Sequence, residues 1–188
     1  VQKFYLGMGV HPTKQLLYVN APMTAPATLL VYSYDSTGNL TFVSSVPNPG
    51  RAACWIAIDP TGSYLYTTNT LDDTITGYNI TGNNATNPVM IGSAPFLLSQ
   101  AKGRGTTYET AFDATGSFLF VNSPNNLGAV PDAVVANQFD PIPGPNGPGN
   151  TLHTLILNKS DGTLSEAPSS PVLLPVPGNA NPEGVLAF

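Results

Sequence analysis

One nine-residue pattern occurs three times in this chain and limits what the chain can fold into. Ile58-Asp59-Pro60-Thr61-Gly62-Ser63-Tyr64-Leu65-Tyr66 returns as Phe112-Asp113-Ala114-Thr115-Gly116-Ser117-Phe118-Leu119-Phe120. A looser copy, Val10-His11-Pro12-Thr13-Lys14-Gln15-Leu16-Leu17-Tyr18, precedes both. Each copy reads as an apolar strand, a tight polar turn and a second apolar strand. Pro at the second turn position presets φ, and Gly two residues later supplies the left-handed conformation that closes a hairpin. A hairpin returning about every 50 residues is the signature of a repeat architecture.

Composition supports an all-β chain. Charged residues make up 9% of the sequence, against roughly 25% in an average soluble domain, and Asn, Ser and Thr fill the gap. The net charge is −5 and the six basic residues do not cluster, so nucleic acid is not an expected partner, because phosphate binding needs a basic patch. No apolar run approaches the roughly 18 residues of a membrane-spanning helix, and no membrane partner is expected. Cys54 is the one cysteine; beside Trp55 in an apolar strand it reads as a small buried hydrophobe. The chain opens Val1-Gln2-Lys3 without an initiator Met or an apolar leader, which reads as a trimmed start.

Strand signals follow the repeated turn in the same order each time. The first unit has strands over 4–10, Leu16–Asn20, Thr28–Tyr34 and Leu40–Val46. The second has Cys54–Ile58, Tyr64–Thr68, Thr74–Ile80 and a strand from Val89. The third has Tyr108–Phe112, Phe118–Asn122, Leu152–Asn158 and a strand from Thr163. Ser170-Pro171-Val172-Leu173-Leu174 echoes Ala94-Pro95-Phe96-Leu97-Leu98, and Val185-Leu186-Ala187-Phe188 matches the opening of another first strand. The turns at His11, Asp59 and Asp113 lie 48 and 54 residues apart, a spacing that fits four-stranded propeller blades. The expected architecture is a β-propeller segment of about three four-stranded blades (residues 4–47, 53–100 and 107–175) plus the first strand of a fourth (184–188). Residues 123–151 form an insertion loop within the third. Closed propellers usually need about 4–8 blades, so the expected arrangement is an incomplete ring, completed by another chain, by self-association with a second copy, or by further sequence of the same protein.

With those motifs on the page, the chain resembles the lactonase-like seven-bladed β-propellers, which overlap the Tyr-Val-Thr-Asn repeat propellers. The resemblance rests on Ile58-Asp59-Pro60-Thr61-Gly62 with Leu65-Tyr66-Thr67-Thr68-Asn69, on Gly38-Asn39-Leu40, and on Asp161-Gly162-Thr163-Leu164. It also rests on Ser170-Pro171 followed by Asn181-Pro182-Glu183-Gly184-Val185. It implies an enzyme that hydrolyses sugar-acid lactones or one that forms a lactone by cyclising a muconate. The enzymes of that family carry Arg and His at the channel end of inner strands, where this chain has Cys54-Trp55, Tyr108-Glu109 and Gly184-Val185.

In a propeller, the links between blades share a face with the turns between second and third strands. That face gathers Arg51, Lys102, Arg104, Glu183 and Asp72-Asp73. Lactone opening needs an oxyanion stabiliser and a base or activated water. Arg51 and Arg104 are the candidate stabilisers, with Glu109 and Glu183 as candidate bases. Glu109 stands out because it opens an inner strand in a slot that is otherwise apolar. His11 takes the place of Asp59 and Asp113 and reads as a turn residue, and His153 lies in a third strand, so no metal site or cofactor is expected. A small-molecule ligand at the channel mouth is the expected partner; the alternative reading is a non-catalytic secreted propeller acting as a binding or assembly module. The Asn-x-Ser/Thr sequons Asn39, Asn79, Asn84 and Asn158 all fall in or beside turns between third and fourth strands, where glycosylation of an extracellular protein would be tolerated.

Overall fold

The computed structural model describes residues 5–22, 26–99, 101, 106–124 and 150–176. They form three antiparallel sheets that follow one another along the chain. The first is β1 (Leu6–Val10), β2 (Leu16–Ala21), β3 (Ala27–Tyr34) and β4 (Leu40–Asn48) in that order. The second is β5 (Ala53–Ile58), β6 (Tyr64–Asn69), β7 (Thr74–Asn79) and β8 (Val89–Met90), and β9 (Phe96–Leu97) also pairs with β7. The third is β10 (Thr110–Phe112), β11 (Phe118–Ser123), β12 (Thr151–Leu157) and β13 (Leu164–Glu166), and β14 (Val172–Leu173) also pairs with β12. The architecture is an all-β propeller segment. The expected first strand of a fourth blade and the bulk of the 123–151 insertion lie outside the described residues.

Two strand expectations are refined. The fourth strand of the second sheet is split: β8 pairs with Tyr78 and Asn79, β9 with Thr74 and Ile75. The third sheet repeats the division with β13 and β14 on β12, so the echo between 94–98 and 170–174 is a structural equivalence. The inner strand of the third sheet begins at Thr110, leaving Tyr108 and Glu109 ahead of it.

The repeated turn is built as its residues dictate. Asp59 Oδ1 accepts the N–H groups of Ser63 (2.8 Å) and Tyr64 (2.6 Å), while Oδ2 accepts the N–H and hydroxyl of Thr61. Asp113 repeats the pattern with Thr115, Ser117 and Phe118. In the first sheet His11 Nδ1 takes over the role, accepting the Thr13 N–H at 3.2 Å. Gly62 has φ +71° and Gly116 φ +64°. Each is also a contact: a Cβ on Gly62 would lie 2.6 Å from the His11 ring, and one on Gly116 2.8 Å from Pro60. Successive hairpins therefore nest, each glycine against the turn of the sheet before it.

Sheet packing follows from strand alternation. On β6, Leu65 faces the first sheet and Tyr66 the third, and every residue from Tyr64 to Asn69 is buried. Leu16, Tyr18, Leu29 and Val31 pack with Leu65, Tyr78 and Ile80 in one seam. Tyr64, Tyr66 and Ile75 pack with Leu119, Val121 and Leu155 in the next. Burial of each large side chain contributes on the order of 1.5–3 kcal/mol.

The seams also carry directed bonds. Tyr18 donates its hydroxyl to the Ala85 carbonyl (2.9 Å), and Tyr66, at the same repeat position, donates to Gly162 (2.6 Å). Tyr78 donates the other way, to Pro47 (3.2 Å). Asn20 reaches the Cys54 carbonyl of the next inner strand at 3.0 Å. Gly7 lets β1 approach that strand, since a Cβ there would sit 2.0 Å from the same oxygen.

Gly62→Ala should cost about 1–2 kcal/mol for the left-handed backbone alone, plus the displacement of His11. Gly38→Ala, at φ +85° with nothing near its Cβ position, should cost only the backbone part. Urea unfolding of the two variants measures the difference, and Gly62→Ala should be the less stable.

Candidate functional site

The two ends of the sheets differ in chemistry. One carries the nested hairpins and the turns between third and fourth strands, joined by Lys14 Nζ to the Gly82 carbonyl (3.0 Å) and Lys159 Nζ to the Thr115 carbonyl (2.9 Å). Asn39, Asn79, Asn84 and Asn158 are at this end. Asn79 and Asn158 fold into local turns, each accepting through its Oδ1 from the N–H and hydroxyl of the residue two positions on.

At the opposite end the inter-sheet links meet the turns between second and third strands. Arg51, in the link from β4 to β5, places Nε 2.6 Å from Asp72 Oδ1, and its backbone N–H donates to Asp72 Oδ2 at 2.5 Å. Its Nη2 donates to the Leu71 carbonyl at 3.2 Å. The predicted co-location of link and turn is thus realised, with the Arg51 guanidinium engaged by Asp72. Glu109 is half-buried just before β10, its carbonyl accepting the Asn122 N–H at 3.2 Å. Arg104 and Glu183 lie outside the described residues.

Asp73, unlike its neighbour Asp72, is turned into the protein. It is buried, and its Oδ1 accepts the Ser123 hydroxyl at 3.0 Å across the second seam. Thr107 Oγ1 adds a bond to the Asn69 carbonyl at 2.8 Å. The backbone is contorted here as well: Ala52 (φ +53°), Asp73 (φ +56°) and Asn150 (φ +52°) are the non-glycine residues with left-handed backbone among the described residues, and all three belong to this end. Such conformations cost free energy and tend to gather at functional sites.

An aromatic pair joins the group. Trp55 and Tyr108, half-buried at the starts of neighbouring inner strands, stand with ring centroids 4.1 Å apart at an interplanar angle of 36°. Both occupy the slots where the resemblance places Arg and His, the one sequence signal that marks them. Cys54 beside them is buried, and burial pushes its thiol up to about 11, opposed by a hydrogen bond with Thr70. It is protonated and unreactive at neutral pH.

His153 has more partners than its place in a third strand suggested. Nε2 lies 3.0 Å from Thr151 Oγ1 and Nδ1 2.7 Å from Glu166 Oε1. An ionised carboxylate only accepts, so Nδ1 carries the proton. Glu166 also accepts the Ser170 hydroxyl (2.7 Å) and, through Oε2, the Ser99 N–H of the link between sheets (2.7 Å). The order hydroxyl, imidazole, carboxylate is that of an activated nucleophile, but Thr151 is 0% and His153 1% exposed. No substrate reaches them, and the trio braces the third sheet against the link that leads into it. No group of three His, Cys, Asp or Glu residues suited to a metal occurs among the described residues.

Burial opposes ionisation of Glu166, yet the hydrogen bonds from His153, Ser170 and Ser99 together hold its carboxyl below the usual glutamate range. With the folded value below the unfolded one, this contribution is fully present above the ordinary glutamate range, about pH 4, and is lost as pH falls through the folded value. Thermal midpoints measured from pH 7 to pH 3 should fall in that acid window, and Glu166→Gln should be less stable at neutral pH with a flatter acid limb.

Comparison with known proteins agrees with this architecture. A protein from Lactobacillus plantarum superimposes with a TM-score of 0.66 at 15% identity, over 91% of this chain and 42% of its own. The periplasmic gluconolactonase of Pseudomonas aeruginosa gives 0.63 at 18% identity, over 87% and 40%. A putative 6-phosphogluconolactonase from Bacteroides fragilis gives 0.62 at 13% identity, over 90% and 39%. The chain therefore spans about two-fifths of the length of these solved relatives. No curated protein matches it. Residues 5–140 match the family described as Lactonase, 7-bladed beta-propeller, and the chain belongs to that family.

Proposed function

We propose that this chain contributes to a propeller that opens or forms a small lactone of an acidic sugar at the channel mouth. The observation that carries the reading is the convergence, at one end of the sheets, of Glu109, the Arg51–Asp72 pair, buried Asp73 and the three left-handed non-glycine residues. Function concentrates where a rigid scaffold holds charge and strained backbone together. The gluconolactonase of Pseudomonas aeruginosa, similar in fold, supports the lactone class.

In the hydrolytic direction, water attacks the lactone carbonyl, charge develops on its oxygen, and collapse of the adduct breaks the ring acyl C–O bond, the proton taken from the water passing to the departing hydroxyl oxygen. Glu109 is assigned as the base that takes the proton of the attacking water, with Glu183 as the second candidate. The guanidinium of Arg104 is assigned to the oxyanion. Arg51, already held by Asp72 and the Leu71 carbonyl, anchors the loop and adds positive potential. Trp55 and Tyr108 provide an apolar wall for a sugar ring, whose faces are largely C–H. Proton transfer from a placed carboxylate is worth roughly 10²–10⁴-fold in rate.

The check is pH-stat titration of the 188-residue chain with the δ-lactone of a six-carbon sugar acid. Turnover above the spontaneous rate is expected, reduced by about 10²-fold or more in Glu109→Gln. An unchanged rate in that variant removes Glu109, and a wild-type rate equal to the spontaneous one removes the lactone reading for this chain.

A further inference from the structure

In each sheet the end of the third strand is tied to the repeated hairpin by one backbone bond: Tyr34 N–H to the Gln15 carbonyl, Ile80 N–H to Ser63 and Leu157 N–H to Ser117. The next residue, Asp35, Thr81 or Asn158, therefore holds the same place in all three repeats, at the start of the turn toward the fourth strand. It is exposed in each, including the second sheet, which has a neighbouring sheet packed on both faces. The exposure of Asn158 is thus a property of the repeat position, independent of its lying in the third sheet.

Asp35 and Asn158 build their turns alike. Asp35 Oδ1 accepts the N–H and hydroxyl of Thr37 (2.9 and 2.7 Å), and Asn158 Oδ1 accepts those of Ser160 (3.1 and 2.8 Å). Asp35 also uses its second oxygen, which accepts Asn39 Nδ2 at 2.9 Å. The turn of the third sheet is one residue longer, closing from Asn158 to Thr163 where the first closes from Asp35 to Asn39, and among the described residues Asn158 Nδ2 has no acceptor. The backbone around it is anchored, since Tyr64 and Tyr66 donate their hydroxyls to the Lys159 and Gly162 carbonyls (3.3 and 2.6 Å).

We propose that Asn158 is an N-glycan acceptor, and that of the four sequons it is the one this fold accommodates without loss. Asn158-Lys159-Ser160 has the acceptor pattern, on a held surface turn at the end of the sheets opposite Arg51 and Glu109. In the transfer, Nδ2 attacks the anomeric carbon of an oligosaccharide carried on a polyprenyl pyrophosphate. The N–C bond forms, the C–O bond to the pyrophosphate breaks, the pyrophosphate leaves as an anion and Nδ2 gives up one proton. Both bonds from Ser160 end on Oδ1 and survive. The other sequons are committed to local structure: Asn39 Nδ2 donates to Asp35 and to Thr37 (2.9 and 2.7 Å), and Asn84 Nδ2 donates to the half-buried Asn79 (3.4 Å). The assignment requires passage through a compartment that holds the lipid-linked donor, and it does not depend on the lactone reading.

Site occupancy tests it. The 188-residue chain is expressed behind a cleavable leader in a eukaryotic secretory host and recovered from both medium and microsomes. Peptide N-glycosidase treatment in heavy-oxygen water converts each glycosylated Asn to a mass-tagged Asp, which peptide mass mapping reads at all four sequons. Asn158 should be occupied in most chains, several-fold more often than Asn39, Asn79 or Asn84. Ser160→Ala should remove that glycan and leave the other sites as they were, while Ser160→Thr keeps it. Glycosylated and enzymatically deglycosylated chains should share one thermal midpoint, because Asp35 shows that a carboxylate serves the same turn. An unmodified Asn158, an occupancy at any other sequon equal to it, a glycan that persists in Ser160→Ala, or a lower midpoint with the glycan attached would overturn the proposal.

Discussion

A sheet in the middle of a stack must bury both of its faces, and the rest of this molecule depends on that constraint. The second sheet meets it through β6, whose six residues are all buried although Thr67, Thr68 and Asn69 are polar. The polar residues are accommodated by side-chain bonds: across the seam Asn48 Nδ2 donates to Thr67 Oγ1 at 2.7 Å and Thr76 Oγ1 donates to Asn48 Oδ1 at 2.9 Å, while within the sheet Thr68 accepts the Trp55 N–H and Asn69 donates to Thr74 and Thr76. Apolar packing supplies the area, and the hydroxyls and amides fix the register. Tyr18 and Tyr66 do both, burying a ring and handing one hydrogen bond to the next sheet.

The site end inherits its geometry from the same stacking. Links and second-to-third turns are brought together because each sheet is rotated onto the next, which is how Arg51 meets Asp72 and how Ser123 meets Asp73 over a separation of 50 residues. Strain collects there, at Ala52, Asp73 and Asn150, while the opposite end uses glycine for its left-handed turns. The hairpin end closes its turns with local side-chain bonds, and the opposite end is held by contacts between sheets. That division fits a scaffold whose chemistry sits in its loops.

Much of the fold was legible in the sequence because its determinants are local. Strand alternation, the Asp-x-Thr-Gly turn and the echo between 94–98 and 170–174 are short-range patterns, and each produced the element it implied. The site was less legible, because its determinants are contacts between sheets. Nothing near Asp73 in sequence shows that it is buried against Ser123, and nothing near His153 shows that Glu166 and the Ser99 N–H complete its surroundings. The split of the outer strand into β8 and β9 was missed for a similar reason, since two-residue strands carry too little alternation to be read.

The central claim is that equivalent residues of successive sheets make equivalent bonds across the seams. Equilibrium unfolding of Tyr18→Phe and Tyr66→Phe tests it most directly, because each change removes one hydroxyl and leaves the packing intact. Loss of a buried hydrogen bond costs about 1–2 kcal/mol, so both variants should be destabilised by that amount. Tyr18→Phe and Tyr66→Phe chains as stable as the wild type would contradict the account.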